Sequence, residues 1–192
     1  MEQKFESYRY LLKSIRDAVR KKAQEIPDFR NGCIRVTSRP CCAEADEWLG
    51  GISDWEQQDI AEYEHVFTIT PRGSYTIVVN YGRPEKVNCY SHSALKVAHC
   101  SLARKRIGAL TSGVYLDDYD LTEDNGWAHE YGAICIEVSK NNCGDYCRIY
   151  VSVSGADPFN DLRCAEAAVE AVNGYFNVDR YSIRAPRFFN EK

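Results

Sequence analysis

The order of apolar periods along the chain predicts an α+β domain: a mainly antiparallel sheet flanked by N-terminal, middle and C-terminal helices. Three observations carry this. Helical spacing of three and four residues runs through 5–26, and returns near 93–110 and 158–176. Between these stretches lie short alternating runs bounded by Gly, Pro and Asn. The stretch "IYVSVSGADPFNDLRCAEAAVEAV" (149–172) passes from alternation to helical spacing through one glycine and an Asp-Pro pair.

Taken in order, Phe5, Tyr8, Leu12, Ile15, Val19, Ala23 and Ile26 form the apolar stripe of a first helix, closed by Pro27. "GCIRVTS" (32–38) reads as a short strand. Residues 39–65 are strongly acidic, carry Trp48 and Trp55, and contain Ser53 with Glu56 three residues on, a capping box for a short helix. They read as an insertion. "HVFTIT" (65–70) and "SYTIVVN" (74–80) are strands around Pro71-Arg72-Gly73, and "KVNCYS" (86–91) is another beyond Gly82-Arg83-Pro84.

The middle helix, from Ser93 to about Leu110, has Leu95, Ala98, Leu102 and Ala109 near one face. A polar acidic loop, "DDYDLTEDNGWAHE" (117–130), follows; Glu123 stands where a calcium loop needs glycine, so it reads as solvated. "GAICIEVS" (132–139) and "RIYVSVSG" (148–155) form a hairpin through "KNNCGDY". Asp157 suits the N-cap and Pro158 the first turn of a last helix, with Leu162, Ala165, Val169, Val172 and Phe176 on its buried stripe. One domain is expected over 1–176, with its acidic insertion at about 39–65, and a C-terminal arm over 177–192.

Composition excludes several classes. With 192 residues and 44% hydrophobic content the chain can bury a core. A net charge of -4 argues against a nucleic-acid or anionic-membrane partner. No apolar run approaches the roughly 18 residues of a membrane span. The charged start, "MEQKFESYRY", lacks the apolar centre of a secretory signal, so the expected location is cytoplasmic. Nine cysteines, an odd number, then fit reduced thiols better than a disulfide framework. Cys41-Cys42 are adjacent and Cys143/Cys147 have three residues between them, so neither pair has the two-residue knuckle of a zinc site. No metal ligands are assigned.

The corner at Ser154-Gly155 lacks the further glycines of a phosphate loop and the glycine before the serine of a nucleophile elbow. It reads as a structural turn whose helix N-terminus still offers amides to an anion. "YGAICIEVSKNNCGDYCRIYVSVSGADPFNDLRCAEAAVEAV" resembles the closing hairpin and helix of the haem-degrading domain family, small profilin-like domains. The matching residues are Gly132, Ile134 and Ile136, then Val153-Ser154-Gly155, then Pro158, Asp161 and Cys164-Ala165. "YTIVVNYGRPEKVNCYSHSALKVAHCSLARKRIGAL" is similar to the family's first hairpin and middle helix, with Ala103-Arg104 in its Lys-Ala-Arg segment; Leu102 stands for the lysine and Tyr131 for a glycine.

The resemblance implies a profilin-like fold, a homo-oligomer and a small-molecule ligand, haem or another flat anionic compound. His92 and His99 share a helical face about 10.5 Å apart along the axis, too far to bind one iron together. One of them, or His129 beside Trp127, is then the candidate axial ligand, with Arg104 or Arg106 pairing a carboxylate and Ser154-Gly155 at the anion-binding corner. No catalytic residue can be singled out, and enzymatic activity is left open. Two alternatives remain: a non-enzymatic oligomeric interaction or ligand-sequestration module, and a thiol-based metal or redox protein.

Overall fold

The computed structural model describes residues 2–51, 61–81, 94–111, 132–177 and 179–185. In chain order the elements are α1 (Glu2–Gln24), β1 (Asn31–Pro40), α2 (Ala43–Trp48), β2 (Ala61–Thr70), β3 (Gly73–Tyr81) and α3 (Ala94–Thr111). Then come β4 (Ala133–Lys140), β5 (Tyr146–Ser154), α4 (Pro158–Glu166), α5 (Ala168–Tyr175) and β6 (Tyr181–Arg184). The expected α+β architecture is present. Among the described residues the sheet has six strands in the order β3-β2-β1-β5-β4-β6, and each pairing is antiparallel. No described helix is long and apolar enough to cross a membrane.

Strand alternation divides the sheet into two unlike faces. One face carries Ile34, Val36, Tyr63, Phe67, Ile136, Ile149, Val151 and Val153, which form the main core with Leu11, Leu12, Ile15 and Val19 of α1 and with Cys164, Ala165, Ala168 and Val172 of α4 and α5. The other face lies under α3. Its apolar contacts fall into two smaller groups: Cys33, Val66, Cys100 and Ala103, and Ile107, Leu110, Ala133, Cys135 and Tyr150. Among its described side chains, α3 therefore buries Cys100, Ala103, Arg106, Ile107 and Leu110. Of the predicted stripe, Leu102 is only half-buried, and the side chains of Leu95, Ala98 and Ala109 lie outside those described. The polar Arg106 at a core-facing position obscured the true period.

Three other expectations change. The acidic stretch 39–65 is less of an insertion than it reads, because β1 runs to Pro40 and β2 starts at Ala61, so both ends belong to the sheet. Acidic side chains at 62 and 64 masked the strand signal of β2. The last helix is broken at Ala167 into α4 and α5. Part of the arm from Asn177 is β6, an edge strand paired with β4. Tyr181 ties it down, with its ring edge-on to Trp48 at 5.2 Å and to Phe176 at 5.2 Å. The predicted cap holds: Asp157 accepts from the backbone N–H of Phe159 and Asn160, and Pro158 fills the first turn. The expected strand 86–91, the Ser53 capping box and the loop 117–130 lie outside the described residues.

One polar group is lodged in the main core. His65, stacked between Tyr63 and Phe67, is fully buried, and neither ring nitrogen has a hydrogen-bond partner among the described residues. Burial, helped by Arg20 and Arg16 of α1, pushes its pKa down to about 3 from 6.5. The unfolded chain therefore takes up a proton below pH 6.5 that the native protein refuses, and stability falls as pH drops from 6.5 towards about 3. The limiting slope is about 1.4 kcal/mol per pH unit. Denaturant melts across this range are expected to show a shallower acid dependence in His65→Phe than in the parent; parallel curves would mean that His65 titrates alike in both states.

Candidate functional site

The α3-covered face is polar in rows set by strand register. Glu64 of β2 pairs with Arg35 of β1, Arg35 with Ser152 of β5, and Ser152 with Ala133 of β4, so one row crosses four strands. Val66, Cys33 and Ser154 form the row on one side. Thr37, Tyr150 and Cys135 form the row on the other. The polar row thus lies between the two apolar groups on which α3 rests.

Glu64 organises this face. Its two carboxylate oxygens accept a bidentate pair from Arg104 of α3, Nε and Nη2 each at 2.9 Å, and Arg35 Nη1 donates to Oε2 at 3.1 Å. Glu64 is buried, and Arg104 keeps 30% of its side chain in solvent. A buried carboxylate costs several kcal/mol to desolvate, and two guanidiniums in good geometry offset that cost. The Cys33 and Cys100 thiols lie within 4.8 Å of a Glu64 oxygen and of each other. Their contact with one another, and burial, push the Cys33 thiol well up. With the carboxylate held by two arginines and both thiols buried, this group suits polar packing rather than a metal.

Beside Arg35, Thr37 and Ser152 are buried at 1% and 0% exposure. Neither hydroxyl oxygen has a hydrogen-bond partner among the described residues. An unmade bond of this kind costs about 1–3 kcal/mol. One row away, His99 Nδ1 and Ser154 Oγ are 3.0 Å apart, which orients the imidazole and leaves Nε2 for another contact. Burial, with Arg106 nearby, lowers the His99 pKa, so the ring is biased towards its neutral form.

Of the residues singled out from sequence, His99, Arg104 and Ser154 come together on this face. Arg106 and Gly155 do not join them as an anion-binding pair. Arg106 is buried and donates through Nη1 to Asp161 of α4 at 2.7 Å and to the Val153 carbonyl. Its charge is committed to the fold. Gly155 is a packing position: a Cβ there would stand 2.2 Å from the Phe29 ring and 2.5 Å from the Asn31 carbonyl oxygen. His92 and His129 lie outside the described residues. Arg35, Thr37, Glu64 and Ser152 were missed, because alternating polar residues on a strand read as a solvent face until a helix is known to cover them.

For haem the fit is poor among the described residues. The guanidiniums and hydroxyls suit carboxylates, but the apolar side chains that would have to wall a macrocycle are already packed against α3. Comparison with protein-family models, with curated proteins and with solved structures gave no match.

Two substitutions separate the structural corner from the polar face. Arg106→Met leaves the Asp161 carboxylate buried without its cation and is expected to cost about 3–5 kcal/mol in chemical denaturation, with Arg106→Met/Asp161→Leu recovering part of the loss. Gly155→Ala is expected to cost at least the roughly 1–3 kcal/mol of an overpacked core. A neutral result for either would remove that residue from the structural corner.

Proposed function

We propose that this chain is a small-molecule-binding α+β domain whose ligand is a small anion, a carboxylate or a phosphate, seated between α3 and the polar face of the sheet. The observation that carries the reading is the pair of buried hydroxyls, Thr37 and Ser152, flanking Arg35 with unmade hydrogen bonds. Buried polar groups in native proteins are almost always satisfied, and a bound anion would accept from both hydroxyls and from the guanidinium. His99, held by Ser154, would add a neutral imidazole at the adjoining row. The compactness of α3 on its two apolar groups favours a ligand smaller than haem. The hydroxyl–imidazole contact on this face, Ser154 Oγ to His99 Nδ1 at 3.0 Å, is read as positioning the ring, and the proposed role is binding.

The test uses thermal shift and calorimetry on the full chain with inorganic phosphate, short mono- and dicarboxylates, and haemin as the flat anionic arm. A saturable rise in Tm with one of the small anions, beyond a matched ionic-strength control, is expected. Thr37→Val and Ser152→Ala should abolish it while leaving the ligand-free protein as stable as the parent or up to about 1–3 kcal/mol more stable, because the unmade bonds are gone. That combination is what a binding role predicts and a structural one does not. Destabilised ligand-free variants, or a Tm rise unchanged by both substitutions, would sink the reading. A Soret shift with haemin that His99→Ala removes would return the ligand to haem.

A further inference from the structure

Donor side chains from two segments far apart in sequence, Cys41-Cys42 and Asp145, meet at the end of the β1–β5 pair where β1 stops and β5 starts. β1 ends at Pro40, which pairs with Cys147 of β5, and the Cys41 N–H then donates to the Tyr146 carbonyl at 3.0 Å. The chain turns here into α2, and this turn brings neighbouring cysteines to one side, with Cys41 Sγ and Cys42 Sγ at 3.6 Å. The β4–β5 hairpin supplies the rest. Asn142 at φ 62° shapes its loop, a backbone region that asparagine tolerates, and the Cys143 thiol donates to Asp145 Oδ2 at 2.8 Å. Donor atoms of Cys41, Cys42 and Asp145 all lie within 4.8 Å of one another.

We infer that Cys41, Cys42 and Asp145 form a binding site for a thiophilic divalent cation, with zinc the best match, and that the Cys143 thiol orients the Asp145 carboxylate beside it. Zn–S bonds of about 2.3 Å in tetrahedral geometry put two sulfurs about 3.8 Å apart, and the observed 3.6 Å is close to that edge. Two sulfurs already receive backbone N–H groups, Tyr146 N–H to Cys41 at 3.0 Å and Ala45 N–H to Cys42 at 3.4 Å. Such bonds orient and stabilise ligating thiolates.

The rival use of Cys41 and Cys42 is a disulfide. Adjacent Cα atoms across a trans peptide are about 3.8 Å apart, short of the roughly 4.4–6.8 Å that disulfides span. Access favours the metal as well: Cys41 and Cys143 are exposed, whereas Cys33 and Cys100 of the other thiol group are buried. On binding, the thiols release their protons to solvent and the carboxylate coordinates in its ionised form, so affinity rises with pH. The ion would clip the end of β1 to the β4–β5 hairpin.

Cobalt(II) and zinc(II) titrations of the reduced, metal-free full chain test the assignment. One equivalent of cobalt is expected to give a thiolate-to-metal charge-transfer band and tetrahedral visible bands, both erased by one equivalent of zinc. Cys42→Ser and Asp145→Asn should weaken binding by more than the roughly 10–100-fold that even outer-shell changes cost, while Cys33→Ala/Cys100→Ala should leave the bands unchanged. In the parent protein, zinc should protect Cys41 and Cys42 from alkylation as read by mass spectrometry, a measurement that needs no variant to fold. Absence of protection, or cobalt bands that survive Cys41→Ser/Cys42→Ser and vanish in Cys33→Ala/Cys100→Ala, would overturn it.

Discussion

The buried ion pair between Arg106 and Asp161 is the constraint that ties α3 and α4 to the sheet. Both side chains are at or below 1% exposure, a position that costs several kcal/mol per charge unless every polar atom is answered. The answers come from separate parts of the fold. Asp161 takes one guanidinium bond and the Ala156 N–H at 2.8 Å, and Arg106 also reaches the Val153 carbonyl. Burial pushes the Asp161 pKa up to about 6 against the pull of Arg106 and the amides. Gly132, at φ +110°, leaves room for the guanidinium, since a Cβ there would come within 2.5 Å of Nη1. One pair thereby joins α3, the end of β5, the approach to β4 and the first turn of α4.

Fixing α3 in this way decides what the sheet can do. The face under α1, α4 and α5 is mainly an apolar core, with His65 and the Tyr8-bonded Ser38 buried in it. The face under α3 carries charge and hydroxyls between two small apolar groups. Glu64, answered by Arg35 and Arg104, makes that polarity tolerable by linking β2, β1 and α3. Thr37 and Ser152 are left with hydroxyls that nothing among the described residues answers. The contrast in satisfaction, rather than polarity itself, distinguishes the proposed ligand seat from ordinary polar packing.

The thiols divide by environment in the same way. Cys135, Cys147 and Cys164 are buried, and burial drives each thiol pKa upward; they pack as small apolar groups. Cys41, Cys42 and Cys143 stand where strands end and backbone donors are exposed. The α+β fold by itself does not choose among ligands.

Local periodicity was legible in the sequence because it depends only on neighbours along the chain. The stripe Tyr8 to Ile26, the alternation of β1, β4 and β5, and the Asp157-Pro158 cap were all readable in this way. So was the use of Ser154-Gly155 as a corner, though not its cause, the Phe29 ring against Gly155. What required tertiary structure was each feature made by distant segments. Antiparallel pairing of β1 with β5 brings Cys41 to Tyr146, 105 residues away, and register aligns Glu64, Arg35 and Ser152 in one row. The same polar side chain is solvated on an open strand and costly under a helix. Sequence alone determined where α1, β1, β3, β4, β5 and the start of α4 form, because their signals are local; only the packing of α3 and the register of the sheet decided which polar groups became a site.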